Sequence, residues 1–135
     1  MLSQKDTPLF DALKKYMKKK VISFHVPGHK HGRGNPEFTS FLGKNGMNID
    51  LTIMPDLDSI MNPTGVIKQA QELAAEAFGA DYAFFLVNGT SSGIQAMILA
   101  ACREGDKLLL PRNAHKSVIS SVILSGAEPI YIKPK

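Results

Sequence analysis

The chain has no tryptophan and a single cysteine, Cys102, so no internal disulfide can form. One thiol fits a reducing compartment, and Cys102 falls in an apolar helical pattern where it reads as a small buried side chain. No apolar run approaches the roughly 18 residues that cross a membrane. The opening Met1-Leu2-Ser3-Gln4-Lys5-Asp6 has no apolar stretch of the secretory type. These absences argue against a disulfide-stapled secreted fold and against a membrane protein, and the expected location is cytoplasmic. Repeats and low-complexity tracts are missing too. A length of 135 residues, 44% hydrophobic and 21% charged, suits one modest domain or part of a larger one.

The net charge is +4 but unevenly placed, with Lys14, Lys15, Lys18, Lys19 and Lys20 in one early segment. Leu9, Phe10, Leu13 and Met17 complete an amphipathic helix with a basic, solvated face. No arginine accompanies the lysines and a solvated face accounts for them, so neither nucleic acid nor a membrane surface is the expected partner.

Periodicity predicts a first helix from about Pro8 to Lys19, capped by Asp6 or Thr7. An extended stretch from Val21 to Val26 breaks at Pro27-Gly28, and His29 to Asn35 reads as a loop. Pro36 to Leu42 suggests a short helix, and Gly46 to Asn62 reads as irregular. The clearest helix runs from about Thr64 to Phe78, with Gly79 at its C-terminal cap. Then follow a strand over Tyr82 to Val87, a helix over Ser91 to Arg103 and a strand over Lys107 to Leu110. A helix from Asn113 or Ala114 to about Ser125 and a strand over Glu128 to Ile132 complete the pattern. This second half is β-α-β-α-β, which implies an α/β fold with three parallel strands and right-handed crossovers. The chain ends at Lys133-Pro134-Lys135, just past the third strand. A parallel sheet normally needs both faces covered, so a piece of a larger protein is expected.

Three segments carry chemistry. In Asn88-Gly89-Thr90-Ser91-Ser92-Gly93, a strand runs through a tight turn into a helix, with hydroxyls beside unpaired backbone N–H groups. Such a turn holds a phosphate through N–H donors, hydroxyls and the helix dipole, although a plain capped helix start has the same composition. It is neither a P-loop nor a G-x-G-x-x-G turn, because no Gly-Lys-Ser/Thr follows and position 91 is serine. Pro111-Arg112-Asn113-Ala114-His115-Lys116-Ser117 also opens a helix after a strand, and its His115 is either a cap or a group that stacks on a planar ring or carries a proton. The third segment is His25-Val26-Pro27-Gly28-His29-Lys30-His31-Gly32. Its three histidines lie on a Pro-Gly loop without neighbouring cysteine or carboxylate, which weighs against a metal. A loop over a site, with His29 or Lys30 touching an anion, is the better reading. Asp56 and Asp58 form only a weak carboxylate pair, explained equally by solvation or capping.

Taken in order with Gln69-Ala70-Gln71-Glu72-Leu73-Ala74-Ala75-Glu76-Ala77-Phe78-Gly79-Ala80, these segments resemble the bacterial ornithine/lysine/arginine decarboxylases. The resemblance runs over nearly the whole chain and is strongest to the short Gram-positive type that includes arginine decarboxylases. It implies the N-terminal part of a fold type I (aspartate-aminotransferase-like) large domain. Residues 1–62 would carry a helix and the signature loop, and residues 63–135 would begin the cofactor-binding domain. The implied cofactor is pyridoxal 5'-phosphate. Gly89, Thr90, Ser91 and Ser92 would bind its phosphate and His115 would stack on its ring. His25, Gly28, His29 and Lys30 would form a loop near the active-site mouth or a subunit interface. The implied reaction is decarboxylation of a basic amino acid, arginine before lysine before ornithine, giving polyamine precursors in a homo-oligomeric enzyme.

The same resemblance places no catalytic residue in this chain. The Schiff-base lysine belongs to a Ser-x-His-Lys segment further on, and Lys116 matches the ring-stacking motif instead. The aspartate that pairs with the pyridinium nitrogen is also absent, since Asp81 and Asp106 occupy neither role. The chain by itself is therefore expected to be inactive. The competing expectations are a non-catalytic binding or interaction module, and an aminotransferase or β-eliminating lyase of the same fold. The Pro-Gly-His-Lys loop weighs against the latter.

Overall fold

A computed structural model describes residues 2–19 and 21–133. Lys20 of the basic segment, and Pro134 and Lys135 of the expected tail, lie outside them. The chain forms two compact units, residues 1–85 and 86–135.

The first unit is helical. Its elements are α1 (Pro8–Met17), α2 (Pro36–Leu42), α3 (Lys44–Ile49) and α4 (Val66–Phe78). Proline stands at the first turn of both α1 and α2, where its missing N–H costs nothing. Asn35 caps α2 by accepting from Phe38 N at 3.0 Å. Helix α1 packs on α3 and α4. The buried residues of this unit are Tyr16, Met47, Leu57, Ile67, Leu73 and Ala75. Gln4 ties the N-terminal segment to α4, donating to Leu73 O at 3.0 Å and to Glu76 Oε2 at 2.8 Å.

Two expectations for this unit need correction. The stretch from Gly46 to Asn62 is not irregular throughout, because Lys44–Ile49 is helical. Gly46 and Asn48 are poor helix formers, and the turn forms because Met47, only 3% exposed, is buried. Val21 to Val26 joins no sheet and bends at His25.

The second unit runs α5 (Gly89–Ala101), β1 (Lys107–Pro111), α6 (Lys116–Ser125), β2 (Glu128–Ile132). The strands pair in parallel, with Leu109 opposite Ile130. Helices α5 and α6 pack together, and Ile98, Leu110, Val122 and Ala127 form the small core. Ser121, fully buried, donates to Ser117 O at 2.7 Å, so its hydroxyl costs the core no unmet bond.

The expected third strand is not formed. Among the described residues the sheet has two strands, and Tyr82 to Val87 has no ladder partner. Its composition is that of a strand, but a strand exists only where a neighbour accepts its backbone hydrogen bonds. Phe84 and Val87 are 79% and 81% exposed. The α/β class and the parallel sheet stand, reduced to β-α-β after a helix.

Candidate functional site

The turn before α5 is built by backbone. Gly89 has φ +74, the left-handed region that glycine enters freely, and a Cβ there would meet nothing within 4 Å. The requirement is thus conformational, and the space beside Gly89 is open. Asn88 stands at the N-cap without using its side chain, and the first turn of α5 holds no acidic residue. The first N–H groups of α5 therefore keep their donors and the positive end of the helix dipole. Ser92 Oγ donates to Gly89 O at 2.7 Å, which braces the turn. The hydroxyls of Thr90 and Ser91 make no hydrogen bond among the described residues. Behind the turn, Leu86 packs flat against Gly93, where a Cβ would come within 2.5 Å of Leu86 Cδ1.

His115 is the N-cap of α6, which starts at Lys116 rather than at Asn113 or Ala114. Its Nδ1 accepts from Ser117 N at 3.2 Å and faces Ser117 Oγ at 2.8 Å. An accepting Nδ1 leaves the proton of the neutral ring on Nε2. The cap thus orients an exposed ring and leaves Nε2 without a hydrogen-bond partner among the described residues. Among the described residues no hydrogen bond joins His115 to Thr90, Ser91 or Ser92.

The loop in the first unit is tightly wired. His25 Nδ1 donates to Val26 O at 2.7 Å, so its Nε2 accepts from Tyr16 Oη at 3.2 Å. Lys30 Nζ donates to His25 O at 2.5 Å. Gly32 N donates to His29 Nδ1 at 3.1 Å, which places the His29 proton on Nε2, 3.1 Å from Asp50 Oδ2. Lys30, His31 and Gly32 are all left-handed, at φ 50, 59 and 83. Only glycine fits the last position, because a Cβ would overlap Thr39 Oγ1. The edge of the His31 ring meets His25, with centroids 6.3 Å apart. Desolvation, together with His25, His29 and Arg33, holds the His31 imidazole below its ordinary value. The nitrogens of His29 and Lys30 that the sequence offered to an anion are thus engaged, His29 by Gly32 N and by Asp50 at the end of α3, and Lys30 by His25 O. Gly28 is exposed, with nothing within 4 Å of a Cβ. Among the described residues no group of three or more metal-ligand side chains gathers, and no helix is long and apolar enough to cross a membrane.

The family model for the Orn/Lys/Arg decarboxylase major domain matches residues 7–135. The chain belongs to the Orn/Lys/Arg decarboxylase family. It is 51% identical to an arginine decarboxylase of Bacillus subtilis, over 99% of this chain and 28% of that protein. It is 37% identical to a lysine decarboxylase of Pseudomonas aeruginosa, over 95% of this chain and 18% of that protein. The solved structure of lysine decarboxylase A from Pseudomonas aeruginosa superposes with a TM-score of 0.84, covering 95% of this chain and 18% of that one. The constitutive lysine decarboxylase of Escherichia coli also gives 0.84, at 31% identity, over 96% of this chain and 19% of that one. The chain spans little more than a quarter of the Bacillus arginine decarboxylases, which are shorter than these lysine decarboxylases and more similar to it. Within the family it is of the short Gram-positive type.

Of the two readings open for Asp58, solvation or capping, the structure selects capping. At φ +69 its carboxylate accepts from Ser59 N, Thr64 N, Gly65 N and Ile67 N, at 2.7–3.1 Å. Desolvation pushes its pKa up, but these N–H groups outweigh it and hold the carboxyl well below the usual range. Asp58 is therefore the cap of α4, delivered from seven residues before Gly65. Asp56 does something else, pairing with Lys19 Nζ at 2.8 Å. The two carboxylates do not act together.

Proposed function

We propose that this chain is the phosphate-anchoring N-terminal part of a pyridoxal-phosphate-dependent decarboxylase with the fold type I architecture. Its substrate would be a basic amino acid, arginine before lysine before ornithine, converted to a polyamine precursor with release of carbon dioxide. The observation that carries this reading is the start of α5, where the Thr90 and Ser91 hydroxyls and the first-turn N–H groups keep their donors beside open space at Gly89. That donor set suits a phosphate dianion, and no carboxylate in the first turn repels it.

When bound, pyridoxal phosphate supplies an electron sink, and the protein supplies binding and orientation. Thr90 and Ser91 would hold the phosphate through their hydroxyls and N–H groups, Ser92 only through its N–H because its hydroxyl is committed to Gly89 O, and Gly89 would admit the close approach. His115, fixed by its cap on Ser117, offers a ring face to a planar group. His25, Gly28, His29 and Lys30 belong to a loop held stiff enough to wall an active-site mouth or a subunit contact. Lys116 opens α6 beside this cap and is not the lysine that engages substrate. In this reading residues 1–62 carry helix and loop, residues 63–135 begin the cofactor domain, and the full enzyme is a cytoplasmic homo-oligomer. The lysine and aspartate that run the chemistry lie in the remainder of the longer protein, so the 135 residues alone release no carbon dioxide.

The test is to titrate the chain with pyridoxal 5'-phosphate and, separately, with pyridoxal. Binding that needs the phosphate and weakens in Thr90→Ala/Ser91→Ala supports the proposal. Equal binding of both compounds, or carbon dioxide released from arginine by this chain alone, overturns it. The competing reading, a non-catalytic module of the same fold, gains if the natural reading frame holds no Ser-x-His-Lys segment.

A further inference from the structure

We propose that the first unit carries a second anion site, for a small phosphate-bearing molecule, built around His31, Arg33 and Lys44. Two recesses share these three residues. One, of about 540 Å³, adds Lys19 and Asn48, with Val21 and Ile22 as an apolar wall. The other, of about 530 Å³, adds the hydroxyl residues Thr39 and Ser40. No carboxylate lines either recess. Of the nearby carboxylates, Asp50 is engaged by His29, whereas Asp56 pairs with Lys19 at the edge of the first recess. Lys19 therefore adds little net charge. Arg33 and Lys44 make no ion pair among the described residues.

Desolvation first, and then His25, His29 and Arg33, disfavour a proton on His31, so the positive charge of the site comes from Arg33 and Lys44. Placing cations side by side without counter-charge is unfavourable unless an anion relieves it. The guanidinium of Arg33 presents a planar fork to two oxygens, and Lys44 supplies a movable point charge. Hydroxyl and amide donors fill out the needs of a phosphate, while the Val21 and Ile22 wall accepts an apolar portion of the same molecule. This site uses no residue of the Gly89–Ser92 turn and does not depend on the cofactor reading.

Inorganic pyrophosphate is the probe, followed by two-dimensional amide NMR of the 135-residue chain. The expected result is a saturable shift of the Arg33, Lys44 and Asn48 amides and of the His31 ring protons. Arg33→Gln and Lys44→Gln should each weaken that binding roughly fivefold. Arg33→Lys should retain part of it, and Lys107→Gln should leave it unchanged. Thr90→Ala/Ser91→Ala should abolish any shifts at residues 89–92 while leaving those at Arg33 and Lys44, which separates this proposal from the cofactor site. The spectrum of each variant reports its fold in the same tube. Shifts confined to residues 89–92, or unchanged affinity in the Arg33→Gln/Lys44→Gln double variant, overturn the proposal.

Discussion

The His25–Gly32 loop and the Asn88–Gly93 turn are both short, polar and glycine-bearing, yet they use their side chains in opposite ways. In the loop, Tyr16, His25, His29 and Lys30 spend their donors and acceptors on one another or on nearby backbone. In the turn only Ser92 is spent, on Gly89 O, while the backbone sets the shape and Thr90 and Ser91 keep their hydroxyls. A segment that holds its own shape satisfies its polar groups internally. A segment that holds a ligand fixes its backbone and leaves its donors unmet, because a buried or committed donor cannot be offered again.

The largest test of that contrast is Thr90→Ala/Ser91→Ala. Two hydrogen bonds to a charged phosphate are worth about 3 kcal/mol together, so affinity for pyridoxal phosphate should fall roughly a hundredfold in an absorbance titration. The melting temperature should barely move, since neither hydroxyl makes a hydrogen bond among the described residues. In the loop the order reverses. Gly32→Ala forces a Cβ into the left-handed region and onto Thr39, and should cost about 1–3 kcal/mol by urea unfolding with no direct effect on cofactor affinity. Tyr16→Phe removes the donor to His25 Nε2 and should cost about 1 kcal/mol by the same measurement. A loop variant that weakens cofactor binding as strongly as the turn variant would break the contrast.

The smallest expected effect is a pH dependence centred on His31. Its folded pKa lies below the ordinary 6.5, so the native state favours the neutral ring. The associated stability is complete above 6.5 and is lost as pH falls through the lowered value, because the unfolded chain takes up the proton first. His31→Gln should flatten that part of the pH–stability curve. A curve of unchanged slope in the variant would mean that the desolvation of His31 and its charged neighbours have no energetic weight.

Legibility followed the range of the forces involved. Helices α1 and α4 were readable because Pro8 at the start, Gly79 at the end and apolar spacing between them are local signals. The α5–β1–α6–β2 order was readable for the same reason, as were Thr90, Ser91 and His115 at helix starts. The start of α6 was misplaced by two or three residues because the cap is His115, an uncommon choice that depends on Ser117 being buried beneath it. Asp58 was not legible as the cap of α4, since the carboxylate reaches its donors only after the chain between it and Gly65 has turned back. The α3 turn and the unpaired course of residues 82–87 depended on burial and on a ladder partner, neither of which is written locally.

The sequence alone determined the α/β class, the existence of every helix but α3 and, through four ordered motifs, the decarboxylase family. Those follow from periodicity, capping chemistry and residue identity, which act over a few positions. Only the tertiary structure decided which polar groups are committed and which remain available. It tied His29 to Asp50 and Lys30 to the backbone of its own loop, turned Asp58 into a cap, oriented His115 through Ser117, and left Thr90 and Ser91 unspent. Hydrogen bonds form between groups that folding brings within about 3 Å, and sequence spacing does not report that distance.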